Sequence, residues 1–316
     1  MNKIKLSLFT VALSLTGTVQ AAECDRSCLI NTVDNYFKAM VAHDPTKIKV
    51  TPHAVFVENV EKKKLGEGLW KTISALPNDY RIYVPDPTSQ QVGFFGLIED
   101  AGKPALIALR LKLAEGKISE AEHLIANNLA PDNLKNLQKA RPAFTTSVPE
   151  IKRNSRDKLI EIAYTYYDAV NKNDGNLTPF AQDCVRHENG AQTTGNSVEA
   201  QNILPGMSSE MAVLGTLGCG TQLSANTMGF IDAIDNRRVE IADVETGLVF
   251  GLSHFRHSMN QLNIKVKGMP GVESFTLPAM PAFDLPAAHI YKISEGKQHE
   301  IEAMGITAPY LSASGW

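Results

Sequence analysis

Apolar residues along this chain follow first a helical and then an alternating spacing, and that order runs through the chain twice. Leu29, Val33, Tyr36, Phe37, Met40 and Val41 recur at helical intervals, and His43-Asp44-Pro45 stops the helix they predict. Val55 to Val60 reads as a short strand and Gly66 to Ile73 as a small helix. Tyr80 to Pro85, Val92 to Glu99 and Ala105 to Ala114 then alternate with the period of a strand. A Glu115-Gly116 turn joins the last of these to Lys117 through Ala126 as a hairpin. The pattern restarts with a helix over Asp157 to Asn171, strands near Arg238, Leu248 and Ala288, and a closing hairpin at Glu295-Gly296. Between the two runs, Pro131 to Pro149 is polar and proline-bounded, with room for a helical turn or two.

Laid over itself, the chain aligns residue on residue. A shift of 130 places Tyr36-Phe37-Lys38-Ala39 on Tyr166-Tyr167-Asp168-Ala169 and Glu58-Asn59 on Glu188-Asn189. At a shift of 157, Arg81, Asp86 and Val92 fall on Arg238, Asp243 and Val249. At 180, Lys112, Glu115-Gly116-Lys117, Glu120 and Glu122 fall on Lys292, Glu295-Gly296-Lys297, Glu300 and Glu302. The growing offset implies two insertions in the second copy, around residues 204–220 and 260–281. The fold class is therefore α+β, two tandem modules each with a curved antiparallel sheet wrapped on N-terminal helices.

Composition narrows the classes. With 43% hydrophobic and 21% charged residues the chain has ample apolar surface to bury. Its 31 Lys+Arg against 34 Asp+Glu give a formal charge of -3 without long single-sign runs, so neither nucleic acid nor an anionic membrane is an expected partner. Lys3 and Lys5 precede an apolar run, Leu6 to Leu13, and small residues follow at Val19 and Ala21. This reads as a signal peptide cleaved near Ala21, too short to span a bilayer, and directs the chain to the periplasm or the exterior. Export permits disulfides. Four cysteines allow three pairings; Cys184 with Cys219 is the first choice, and Cys24 with Cys28, four residues apart, is within reach. No Cys-x-x-Cys pair or recurrent histidine spacing marks a metal, and no organic cofactor motif occurs.

The segments Tyr36-Phe37-Lys38-Ala39-Met40, Phe56-Val57-Glu58-Asn59, Leu65-Gly66-Glu67-Gly68-Leu69-Trp70 and Gly116-Lys117-Ile118-Ser119-Glu120-Ala121-Glu122, with Cys24 to Leu29 before them, resemble an uncharacterised fungal and bacterial family of SnoaL-like (NTF2-like) proteins. The resemblance covers nearly the whole mature chain. It implies cone-shaped modules at 22–130 and 153–316 joined by a linker at 131–152, and an internal pseudo-dimer of the two through their sheets. It implies a fold more than an activity, because this scaffold carries many chemistries. The second copy lacks a counterpart of Trp70 and has Ile290 in place of Arg110, so two equivalent pockets are not expected.

In such a cone the ligand site lies between helices and concave sheet, and polar residues that interrupt apolar strands are its candidates. Glu58 follows Val55-Phe56-Val57 and Glu188 follows Val185, Arg186 and His187, strand positions where desolvation would raise a carboxyl into the range of a general acid or base; strand termination by bonding turn amides is the competing reading. His289 replaces Leu109, on the face shared with Ile107 and Leu111, and so points inward, either as a proton-transfer partner of Glu188 or Tyr291 or as a satisfied core residue. Glu188, His289 and Glu58 are the candidate catalytic residues, with Asn59, Trp70, Arg110, Asn189, His187, His254 and Tyr291 as candidate ligand contacts. Arg110 has a competing partner in Glu120 or Glu122 across the hairpin. Alternation places Glu120 and Glu122 on one face with Ile118 and Leu124, where an acid can be partly buried, and Gln298 with Glu300 and Glu302 on a solvated one. His254 and Arg256 share one face, His257 takes the other, and one of those faces is expected to be wet. Two functions remain. One is a cofactor-independent isomerase or lyase acting on a small apolar or aromatic molecule; the other is a non-catalytic exported ligand-binding or protein-interaction module.

Overall fold

A computed structural model describes residues 23–196 and 209–316, so the expected leader, its cleavage site and residues 204–208 of the first insertion lie outside the described residues. Asp25 accepts the Cys28 N–H at 2.8 Å and so starts α1 (Arg26–Val41), whose stripe of Leu29, Val33, Tyr36, Phe37 and Met40 is buried. Then come β1 (Val50–Glu58), β2 (Glu61–Lys63), α2 (Leu69–Thr72), β3 (Ile73–Ala75), β4 (Arg81–Asp86), β5 (Gln91–Asp100), β6 (Lys103–Ala114) and β7 (Lys117–Ala126). They form a seven-stranded sheet in the order β2-β1-β7-β6-β5-β3, with β4 also paired to β5. Two short helices, α3 (Pro131–Asn136) and α4 (Pro142–Thr145), each begin on the proline that sets their first turn.

Ser155 caps α5 (Arg156–Lys172), and Asn173 ends it in a left-handed conformation. After it come β8 (Phe180–Glu188), β9 (Ala191–Gln192), α6 (Ser209–Leu214), α7 (Cys219–Ser224), β10 (Ala233–Asp243) and β11 (Leu248–His257). The chain closes with β12 (Asn263–Lys265), β13 (Ser274–Thr276), β14 (Phe283–Ser294), β15 (Lys297–Gly305) and β16 (Ala308–Pro309). The second sheet runs β10-β11-β14-β15-β8-β9, with β16 on β14. Helix α6 and the β12–β13 hairpin fall within the residues of the two expected insertions, and α7 begins at the end of the first. The sheets are not wholly antiparallel as expected. β1 runs parallel to β7 and β8 parallel to β15, because each of these strands reaches its partner only after the intervening strands have been laid down.

Each sheet is apolar on both faces, so the molecule stacks as helix, sheet, sheet, helix. Leu29, Tyr36 and Phe37 of α1 pack on Phe94, Ile107, Leu109 and Ile125. Leu159, Tyr166 and Tyr167 of α5 pack on Val249, Tyr291 and Ile301. Between the sheets lies one core that mixes Ile82, Val84, Phe95 and Ala108 with Phe250, Leu252, Ala288 and Ile290, sealed by Leu137 and Phe144. Phe250 sits where Gly93 has no side chain; a Cβ there would meet the ring at 2.3 Å. Arg238 crosses the same interface with two bonds to Glu122, at 2.6 and 2.7 Å, while Arg110 holds that carboxylate from its own sheet at 3.2 Å.

Register corrects two readings of these faces. A bulge between Lys112 and Leu113 puts Ile118 on the helix side, while Glu120, Glu122 and Leu124 face the other sheet. Its counterpart between Lys292 and Ile293 turns Gln298 towards α5, where it donates to the Ile162 carbonyl at 3.0 Å. Glu300 and Glu302 do not stand on a solvated face. Arg141 from the connection pairs with both, and Glu302 is fully buried. His254, Arg256 and His257 are all buried, so neither face of that strand is wet. Both disulfides are formed, Cys24–Cys28 with Cα atoms 5.3 Å apart and Cys184–Cys219 at 5.9 Å. No described helix is long and apolar enough to cross a membrane.

The inter-sheet core gives a first prediction. Phe250→Ala removes a ring that both sheets enclose and should lower unfolding stability by about 3–5 kcal/mol in urea titrations. A loss under about 1 kcal/mol would mean that the two sheets do not depend on each other.

Candidate functional site

The corresponding spaces between helix and sheet in the two halves are built differently. In the first, β1 ends at Glu58 and β7 carries His123 directly beside it in register. Trp70 donates its indole N–H to the Tyr36 hydroxyl at 3.3 Å, and that hydroxyl lies 2.9 Å from His123 Nε2. His123 Nδ1 lies 3.3 Å from Glu58 Oε2. With the indole as donor, Tyr36 is left to donate to Nε2 and Nδ1–H to donate to the carboxylate, a directed chain. Glu58 also accepts the Leu69 N–H at 3.0 Å; Gly68, at φ 61°, leaves space for that reach, since a Cβ there would lie 2.0 Å from Oε1. Burial alone pushes the Glu58 carboxyl up, but the His123 and Leu69 contacts outweigh it and hold it below its ordinary range. The raised acid expected from the sequence is absent at this position. Only about 10 Å³ of space remains beside Glu58, Trp70 and His123.

In the second half the histidine has moved one strand over. Glu188, Ala303 and His289 stand in one row across β8, β15 and β14, at the places where the first half has Glu58, His123 and Leu109. Glu188 and His289 are therefore two strand spacings apart, roughly 10 Å. The small Ala303 lies between them, and a cavity of about 90 Å³ opens over the row. Val170, Phe255, Leu285 and Ala287 supply its apolar wall, with Met228, Phe230 and Ile231 from the segment after α7. Its polar lining is Tyr166, Arg186, Glu188, His257 and His289.

His289 is buried in an aromatic cage, 5.5 Å from the rings of Tyr166 and Tyr167 and stacked at 5.7 Å on Tyr291. Burial, and then the nearby Arg186 charge, drives its pKa down to about 3, so the ring is neutral at pH 7. Its Nδ1 is buried with no hydrogen-bond partner among the described residues. Arg186 is 5% exposed and is held by Thr193 Oγ1 at 2.9 Å, the Tyr166 hydroxyl at 3.3 Å and Gln222 Oε1 at 2.7 Å. The Cys184–Cys219 bridge ties the strand bearing Arg186 to the helix bearing Gln222. The Tyr166 phenol is raised by burial, against the lowering pull of Arg186.

The remaining candidates lie elsewhere. His187 points to the inter-sheet side, where burial and Arg141 bring its pKa to about 3. His254 shares that side with Arg256; its pKa is lowered by burial and then by that neighbour. Tyr291 packs behind His289 in the α5 core. Asn59 and Asn189 cap strand ends, each exchanging two bonds with a neighbouring strand, Asn59 with Ile125 and Asn189 with Gly305. Arg110 opens on a separate inter-sheet cleft of about 200 Å³ with Lys112, Arg238 and Trp316, so it does not meet Glu58. Among the described residues no cluster of His, Cys, Asp and Glu is arranged to hold a metal. Sequence reasoning missed Arg186, His123 and Tyr36. Strand alternation from Ala121 and Ile125 would have pointed His123 at the helix, and the shift of 130 that sets Arg186 on Phe56 would have flagged a charge replacing an apolar residue.

A family model described as a domain of unknown function (DUF8021) matches residues 152–305, the part of the chain that holds this cavity. No curated protein matches the chain. Among solved structures, a protein described as a SnoaL-like polyketide cyclase from Jannaschia sp. CCS1 is similar at 12% identity and a TM-score of 0.28, over 48% of this chain and 89% of that one.

The depressed pKa of His289 links the site to stability. An unfolded histidine, with its ordinary value of 6.5, takes up a proton that the folded ring refuses until about pH 3. The contribution is complete above pH 6.5 and is lost as pH falls towards 3. Between about pH 6 and about pH 4.5 the loss from this ring is roughly 2 kcal/mol. Replacing it with the residue found at the equivalent place in the first half, His289→Leu, should remove that share of the pH dependence in urea titrations. Parallel pH curves for the two proteins would contradict a buried neutral His289.

Proposed function

We propose that this chain is an exported pair of NTF2-like modules, 22–130 and 153–316, of which the second is the working small-molecule pocket and the first its structural partner. The observation that carries the reading is the single row Glu188, Ala303, His289 with open space above it. A base and a neutral imidazole roughly 10 Å apart on one strand row leave room for a ligand between them, whereas the first half fills that room with a hydrogen-bonded chain. The back-to-back packing of the sheets supports the internal pseudo-dimer, and the two disulfides support export.

The chemistry that fits is proton transfer without a cofactor, as in an isomerase or lyase. Glu188 is half-buried and is the one carboxylate in the described lining, so it is the group to take a proton from a C–H of the ligand. His289 is too weak a base to share that task. As a neutral ring it acts instead as an N–H donor to an oxygen on which charge develops. The proton held by Glu188 then returns to another carbon of the ligand, or passes to a leaving group as its bond to the neighbouring carbon breaks and the double bond forms. The cavity is smaller than the roughly 150 Å³ that accommodates a benzene ring, so a short aliphatic body suits it better than an aromatic one.

The test is proton exchange in D2O, followed by NMR on a panel of small ketones and oxo acids with acidic C–H bonds. The wild-type protein should catalyse exchange on at least one of them, and Glu188→Gln should slow it by roughly 100-fold or more while leaving thermal stability nearly unchanged. Undiminished exchange in Glu188→Gln would remove Glu188 from the mechanism. A ligand that binds in the cavity but never exchanges would favour a non-catalytic binding protein.

A further inference from the structure

Three arginines among the described residues are buried: Arg110, Arg186 and Arg256. Arg110 is neutralised by Glu120 and Glu122, and Arg256 by Asp235 and Asp284. Arg186 makes no such pair among the described residues; its three side-chain bonds go to a hydroxyl of Thr193, the phenol of Tyr166 and the amide of Gln222, all uncharged. A buried guanidinium without a carboxylate carries a desolvation cost of several kcal/mol that neutral acceptors offset only in part. Those bonds use three of its five N–H groups, leaving one donor on each terminal nitrogen.

The group is also held in place beforehand. Gln222 donates its own amide N–H groups to the Thr193 and Leu214 carbonyls, which fixes its oxygen towards Arg186. Arg186 pairs with Ile301 two residues in from Glu188 and lines the same cavity. The first half has Phe56 at the matching place, so the charge occurs in the half where the space opens. Glu188 is two residues on along the strand, at its end, and forms no ion pair with Arg186.

We infer that the cavity takes a small organic monocarboxylate, whose charged end is bound by Arg186 and whose short apolar body lies against Val170, Phe255, Leu285 and Ala287. This rests on the reading of the cavity as a ligand site and adds the charge of the ligand to it. The planar fork of arginine matches a carboxylate, which a lysine would meet only as a point charge. Arg186 thereby sets specificity, and the carboxylate supplies the counter-ion that the protein leaves out.

The test compares butanoate with butanamide, its uncharged counterpart of the same shape, by titration calorimetry and by the NMR signals of the His289 ring in the full-length protein. Butanoate should shift those signals and bind roughly 10–100-fold more tightly than the amide. Arg186→Met should abolish that preference and Arg186→Lys should restore part of it. If Arg186→Met fails to fold, the acid and amide on the wild-type protein decide alone. Equal binding of both compounds, with His289 shifted by each, would overturn the carboxylate assignment and leave the cavity as a ligand site. If neither compound reaches His289, the assignment and the pocket reading both fall.

Discussion

Two apolar faces on each sheet are the constraint from which this structure follows. A sheet that presented Phe95, Leu97 and Ala108 to water, or Phe250, Leu252 and Ile290, would expose a patch no isolated module could tolerate. Each sheet covers one face with its own helix and the other with its neighbour. Gly93 lets Phe250 in, and Glu122 receives Arg238 across the gap. Burial of Glu122 would push its pKa up, yet the bonds from Arg238 and the charge of Arg110 bring it below the ordinary carboxylate range. Glu302, fully buried, is the opposite case; burial dominates and raises it despite Arg141. One carboxylate is thus held charged and the other shifted towards its neutral form within one interface.

Once the backs of the sheets are committed to each other, only the helix-facing sides are free to vary, and there the two halves differ. In the first, histidine sits beside glutamate and closes a chain from Trp70 through Tyr36 and His123 to Glu58. In the second, the place of His123 is taken by Ala303 and the imidazole appears one strand away as His289. The change removes a hydrogen bond and creates a volume. Arg186, where the first half has Phe56, adds a charge to that volume. The difference between a filled half and an open half therefore lies at three positions.

Much of the framework was legible in the sequence, because alternation and turn chemistry are local. Lys117 through Ala126 was read to the residue from its Glu-Gly turn, and the helix read at Asp157 to Asn171 spans Arg156 to Lys172. Bulges were not legible. A single extra residue opposite Lys112 reverses the face of Ile118, and nothing in the alternation of Ile118, Glu120 and Glu122 reports it. Burial of the charged face in the second half was also hidden, since Glu302 is covered by a group distant in the chain, Arg141. Of the candidate site, part was legible. His289 was marked by standing where Leu109 stands, but Arg186 was passed over as a residue leading into Glu188, and the row through Ala303 exists only once β15 is placed between β8 and β14.

Everything proposed for the second half depends on open space between α5 and the second sheet, where the matching space between α1 and the first is closed. Xenon diffused into crystals of the full-length protein tests this directly, because it enters accessible apolar cavities and scatters strongly. A xenon atom should lie against Val170, Phe255, Leu285 and Ala287, and none beside Trp70 and His123. Xenon beside Trp70, or no xenon over Ala303, would contradict it.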